Sequence, residues 1–209
     1  MKYLYLHGFA SGAGSRKGLA MEACLAEAGV TIERLELNVP SFGEQTVSRA
    51  LDVVSEAAGA EGRVRLMGSS MGGYTAALWA SLHPERVDRM VLLCPGFDLV
   101  GRWPKLMGEA LMRTWEETGW APLRDGAGRV VPVHWEMIAD MARYPREPVA
   151  PCPTLIIHGT EDPTVPVETS RAYAAAHPQV ELVEVLDNHS LMGSLAHIGD
   201  ETLHWFGLE

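Results

Sequence analysis

Short apolar runs alternate along this chain with longer stretches of helical periodicity, and that alternation leaves few folds open. Lys2 to Leu6, Thr31 to Leu37, Arg63 to Met67, Val87 to Leu93, Thr154 to His158 and Val180 to Val185 have the length and aliphatic content of strands. Ser15 to Ala28, Gly43 to Ala58, Met71 to Leu82, Val167 to Ala176 and Ser190 to Trp205 read as helices. Parallel strands need crossovers, and crossover helices cover the faces of the sheet, so nearly continuous apolar strands between helices imply a buried parallel sheet. The expectation is an α/β fold with a reduced, mostly parallel sheet of about six strands and helices on both faces. Gly29, after Glu27-Ala28, and the prolines of His83-Pro84 and His177-Pro178 stand where helices should stop.

At 209 residues the chain suits one domain, since halves of it would be short of buried surface. Residues 97–151 break the rhythm. They hold Trp103, Trp115, Trp120 and Trp135, four of the six tryptophans, but no apolar strand of the core type, so they read as a small cap inserted into a single domain spanning 1–209. Within this insertion Glu109 to Thr118 predicts a helix, Leu123 to Val133 a hairpin around Asp125-Gly126-Ala127-Gly128, and His134 to Arg143 a second helix.

The formal charge of −10 speaks against nucleic acid or an anionic membrane surface as partner, because both are bound through basic patches. No apolar stretch approaches the ~18 residues that span a bilayer, and Met1 to Leu6 lacks the layout of a signal peptide. Cys24, Cys94 and Cys152 are odd in number and widely spaced, which suggests neither a disulfide framework nor a metal-binding pair. A cytoplasmic protein is the simplest expectation; the oligomeric state is not encoded in any feature of the chain.

The chemistry concentrates in Gly68-Ser69-Ser70-Met71-Gly72-Gly73, which directly follows one apolar strand and directly precedes a helix. A G-x-S-x-G sequence at a tight strand-to-helix turn forces the serine outward with its Oγ exposed, while the glycines let the backbones close up without Cβ clashes. Ser70 is therefore the candidate nucleophile. Ser69 competes, but its position should turn it toward the sheet.

A serine hydroxyl needs a base at neutral pH. Of eight histidines, His189 lies after the last strand, at the carboxyl end of the sheet where the serine turn also opens and where catalytic groups of α/β proteins collect. His83, His177 and His204 fall near helix ends, His197 in a helix, His134 in the insertion, and His158 at the end of a buried strand. The imidazole in turn needs a carboxylate to fix its tautomer and stabilise its charge. Asp162, in the loop His158-Gly159-Thr160-Glu161-Asp162-Pro163, completes the order Ser, Asp, His. Glu161 adjoins it, and Asp98, after the strand ending at Leu93, is a competitor; Asp187 reads as a turn former.

An oxyanion would require preorganised donors. The backbone N–H of Met71 is one candidate and that of Phe9 the other, with Ala10 next, in the loop His7-Gly8-Phe9-Ala10-Ser11-Gly12 after the first strand. His7 is expected to orient this loop. The loop lacks the lysine of a phosphate-binding P-loop and the G-x-G-x-x-G of a dinucleotide fold, and no cofactor or metal is expected.

Together the YLHGF first strand and loop, the GSSMGG turn, the HGTEDPTVP acid loop and the NHS base loop resemble the α/β-hydrolase family, in particular its small bacterial serine esterase and thioesterase-like members. The resemblance spans most of the chain. It implies an α/β-hydrolase fold, lacking the extra antiparallel strands that open larger members, and hydrolysis of an ester of a small apolar acyl substrate through an acyl-enzyme. A thioester substrate, and a non-catalytic small-ligand receptor on the same fold, stay open as alternatives. The aromatic content of the insertion nominates Trp103, Met107, Trp115 and Trp135, along with Met112 and Trp120, to line an apolar substrate pocket; packing among themselves is the competing expectation.

Overall fold

The computed structural model describes residues 1–208. Six strands form one parallel sheet: β1 (Lys2–Leu6), β2 (Ile32–Leu35), β3 (Val64–Ser69), β4 (Val87–Leu93), β7 (Thr154–Gly159) and β8 (Val180–Val185), in the order β2-β1-β3-β4-β7-β8. A separate antiparallel pair, β5 (Trp120–Arg124) and β6 (Val130–His134), belongs to the insertion.

Because side chains alternate between the faces of a strand, each central strand feeds two cores. Tyr5, Met67, Val91 and Leu155 stand in register across four strands and face α1 (Arg16–Glu27) and α8 (Leu195–Phe206). Leu4, Leu66, Leu92 and Ile156 face the other way, toward α2 (Val47–Ala58), α3 (Met71–Leu82) and α7 (Val167–Ala176). The chain runs outward from β1 to β2 with α1 on one face, then returns past β1 to β3 with α2 on the opposite face, as right-handed crossovers demand when the direction of winding reverses. That reversal leaves a crevice at the carboxyl ends of β1 and β3.

Helix boundaries follow local chemistry. Ser15 caps α1 by accepting from the Gly18 amide at 3.2 Å, and Gly29, at φ 73°, ends it. α2 starts at Val47 rather than Gly43, since Thr46 is its cap, accepting from the Arg49 amide. It buries Val47, Ala50, Leu51, Val54 and Ala58, a stripe of helical spacing. α3 is buried on every side from Met71 to Ala80, which is why its sequence shows no polar face. α8 starts at Leu195, later than the expected Ser190, because the side chain of Asp187 holds residues 188–194 in a turn through the Gly193 amide and the Ser194 hydroxyl.

The insertion contains α4 (Leu99–Met107), α5 (Glu109–Thr118), the β5–β6 hairpin and α6 (Glu136–Met141). α4 is unanticipated from sequence, and the hairpin is longer than expected, beginning at Trp120. Among the described residues no helix is long and apolar enough to cross a membrane.

Candidate functional site

The serine turn works as its glycines dictate. A Cβ on Gly68 would lie 2.4 Å from the Gly72 carbonyl oxygen, and one on Gly72 would lie 2.3 Å from the Leu6 carbonyl oxygen. Only glycine lets the first turn of α3 press against the ends of β3 and β1. Between them Ser70 takes φ 55° and ψ −120°, a strained conformation for a residue with a Cβ. Its backbone is pinned from both sides: its amide donates to the Leu93 carbonyl at 2.9 Å and its carbonyl accepts from the Gly96 amide at 2.8 Å.

The strand order sets the neighbours of Ser70. β8 pairs with β7 at the edge, and their following loops are bonded together by the Thr160 amide donating to Val185 O and the Glu161 amide to Asp187 O. Asp162 and His189 therefore meet, and His189 reaches back over β4 to Ser70. The Ser70 hydroxyl lies 2.9 Å from His189 Nε2, and His189 Nδ1 lies 2.6 Å from Asp162 Oδ2. A proton on Nδ1 donated to the carboxylate leaves Nε2 free to accept from serine.

The Asp162 side chain is wholly buried, while the His189 side chain is 23% exposed. Burial alone would push the Asp162 carboxyl up, but hydrogen bonds from His158, His189 and the Val165 amide outweigh it and hold the group well below the usual carboxylate range. Its Oδ1 accepts from the Thr164 and Val165 amides at 2.8 Å each. His158, assigned from sequence only to a strand end, is a second imidazole on this carboxylate, with Nε2 3.3 Å from Oδ2 and 2.8 Å from the Val165 carbonyl oxygen and Nδ1 2.7 Å from Ser170 Oγ. The competitor Asp98 points elsewhere and pairs with Arg146 at 3.1 Å, and Ser69 is buried.

Cys94 places its sulfur with the Asp162 and His189 donor atoms, all within 4.8 Å of one another. As a metal-ligand set this is poor, since the carboxylate and imidazole are bonded to each other and burial pushes the thiol up to about 12, far from the thiolate a metal requires.

The loop after β1 runs beside the serine: a Cβ on Gly8 would lie 3.1 Å from Ser70 Cβ. His7 ties this loop to the end of β2: its Nε2 lies 3.0 Å from the Leu37 amide and 3.1 Å from Glu36 Oε1, and its Nδ1 lies 2.9 Å from the Gly8 carbonyl oxygen. Phe9 follows and borders a cleft of about 430 Å³ shared with Ser70, His189, Glu161, Pro163 and Lys17. Met71 is the first residue of α3, a position whose N–H has no acceptor within its own helix.

None of the six residues expected to line a substrate pocket is in this cleft; Met112 is buried in the core and Trp120 is exposed. Trp103 and Trp115 are buried in the main core, and Met107 and Trp135 are packed against it. The rings form a chain of contacts, Phe9 to Trp103 at 5.2 Å, Trp103 to Trp115 at 5.9 Å and Trp115 to Trp135 at 5.7 Å. Their apolar area is spent on joining the insertion to the body, so they reach the site only through Phe9. What lines the cleft instead comes from the loops that carry the chemistry, and from Tyr5 in β1 and Lys17 in α1.

Solved structures share this architecture. The chain is similar to mouse alpha/beta hydrolase domain-containing protein 10, at 20% identity and a TM-score of 0.77, covering 99% of this chain and 89% of that one. It is similar to Est1E of Butyrivibrio proteoclasticus, solved with ferulic acid bound, at 20% identity and a TM-score of 0.79, covering 98% and 88%. It also resembles a monoacylglycerol lipase of Paleococcus ferrophilus, at 18% identity and a TM-score of 0.78, covering 99% and 94%. No curated protein matches the sequence. The fold is that of the α/β-hydrolases, and a family model matched over residues 2–203 shows that the chain belongs to the uncharacterised protein family UPF0227.

Proposed function

We propose that this protein is a serine hydrolase that cleaves carboxylic esters of small acyl substrates. The observation that carries the reading is the unbroken chain from Asp162 Oδ2 through His189 to Ser70 Oγ, with contacts of 2.6 and 2.9 Å, ending on a strained serine at the floor of an open cleft. Esterases and lipases among the structural neighbours are in keeping with it.

Ser70 Oγ attacks the acyl carbonyl as His189 Nε2 takes its proton, and the Asp162 carboxylate stabilises the resulting imidazolium. The negative charge on the carbonyl oxygen is met by the N–H groups of Met71 and Phe9, which need no reorganisation. His189 returns the proton to the departing alkoxide, leaving Ser70 acylated. Water then repeats the cycle and frees the acid. Residues 97–151 bear on the site through Trp103, whose ring packs edge-on against Phe9 at 5.2 Å. Three free cysteines suit a reducing compartment such as the cytoplasm.

The test is release of p-nitrophenol from esters of increasing acyl length by wild type and Ser70→Ala. Turnover that disappears in the variant is expected; wild-type inactivity on every length would contradict the reading.

A further inference from the structure

One end of the cleft at Ser70 is built for charge. Lys17, in the first turn of α1, borders both this cleft and a second groove of about 710 Å³; Ser11, Ser15, Lys17 and Ser190 line both, so the two are continuous. The Lys17 ammonium makes one hydrogen bond, to the His189 carbonyl oxygen at 3.3 Å, and has no carboxylate within 4 Å. The carboxylates of the groove are already engaged: Glu36 accepts from the Ala13 and Asn38 amides, and Asp125 is paired with Arg129 at 2.7 Å. Arg16, next to Lys17, also lacks an acidic partner. In a chain of net charge −10, Lys17 and Arg16 are thus cations without an ion pair, beside the Glu36 carboxylate in the groove and the Glu161 carboxylate in the cleft.

A second donor waits at the same end. Tyr5 is fully buried and borders the cleft, and its hydroxyl lies near the Ser15 and Ser69 side chains without a well-formed hydrogen bond to either. Burial pushes that hydroxyl up to about 12, so it stays a donor at physiological pH. A buried hydroxyl without a partner costs free energy unless something fills the vacancy.

We propose that Lys17 and Tyr5 form a subsite for an anionic substituent on the substrate, a carboxylate or a phosphate, so that the preferred esters carry negative charge a few bonds from the scissile carbonyl. This rests on the serine hydrolase reading and narrows it from apolar acyl esters to charged ones. Such a group would replace weak solvation of Lys17 with charge-assisted hydrogen bonds.

The experiment compares kcat/KM on matched pairs: mono-p-nitrophenyl glutarate against p-nitrophenyl valerate, and 4-(butanoyloxy)phenyl phosphate against phenyl butanoate. Wild type should favour one charged ester by about tenfold or more, which identifies the anion, and the preference should shrink with added salt. Lys17→Met and Tyr5→Phe should each lower the charged-to-neutral ratio at least several-fold; the ratio cancels any effect of Lys17 on the His189 loop. A wild-type ratio near one for both pairs, or equal losses on charged and neutral esters in the variants, would overturn the proposal. Calorimetry of the same charged esters with Ser70→Ala separates binding from chemistry. Charge-dependent binding without wild-type turnover would sink the hydrolase reading and keep the subsite, whereas no binding would sink the subsite.

Discussion

Gly72→Ala tests how the serine turn is built. The added methyl would sit 2.3 Å from the Leu6 carbonyl oxygen and 2.4 Å from that of His7, where ordinary contact begins at 3.4 Å. Both obstacles are backbone, so no side chain can swing aside, and the start of α3 must move about 1 Å from the end of β1. Overpacking of this kind costs about 1–3 kcal/mol, which for a domain of this size lowers Tm by roughly 3–10 °C. The same shift separates Ser70 from the Phe9 amide, and a displacement of about 1 Å in a reacting constellation costs on the order of 100-fold in rate. Thermal melts and kcat/KM on p-nitrophenyl butyrate measure both effects. Gly14→Ala is the control for stability: a Cβ there meets nothing within 4 Å and its φ is not positive, so its Tm should hold or rise. A Gly72→Ala protein with wild-type melting and turnover would refute the steric reasoning.

Asp162→Asn should reduce kcat by about 10³- to 10⁴-fold while leaving KM little changed, because the imidazolium loses its counter-charge and the tautomer its acceptor. The same carboxylate contributes to acid sensitivity. Held below its ordinary value in the folded state, it adds stability that is fully present above the unfolded carboxylate pKa of about 4 and is lost as pH falls toward the folded value. Melts at pH 5 and pH 3 should therefore show a larger drop for wild type than for Asp162→Asn; equal drops would contradict the assignment. Trp115→Ala should cost about 3–5 kcal/mol, seen as a Tm loss of roughly 10 °C, since the ring is fully buried between Trp103 and Trp135 and its Nε1–H donates to the Val133 carbonyl at 2.8 Å. A loss below about 1 kcal/mol would mean the insertion core is not anchored there.

The sheet was legible because its central strands β1, β3, β4 and β7 are largely buried on both faces and appear as apolar runs, whereas the edge strands β2 and β8 carry exposed charged residues; α2 shows its stripe plainly. α4 was not, since Gly101 and Pro104 argue against a helix; Pro104 cannot donate to the Val100 carbonyl, and the segment is helical because Leu99 and Trp103 bury themselves against the body. The serine, aspartate and histidine could be placed because each follows a recognisable strand in a fixed order. The residues around the substrate could not. A tryptophan-rich insertion states how much apolar area it has but not which way it faces, and here the rings face Phe9 and one another. Tyr5 reads from sequence as one more core position of β1, and Lys17 as a solvated residue of an amphipathic helix. Their common cleft exists only because α1 returns beside the His189 loop.

The most direct measurement is covalent labelling with a fluorophosphonate, followed by mass spectrometry of the digested protein. The expected result is a single adduct on Ser70 in wild type, greatly slowed in His189→Ala. Labelling at another serine, or at Ser70 equally fast without the histidine, would contradict the assignment of Ser70 as a nucleophile activated by His189.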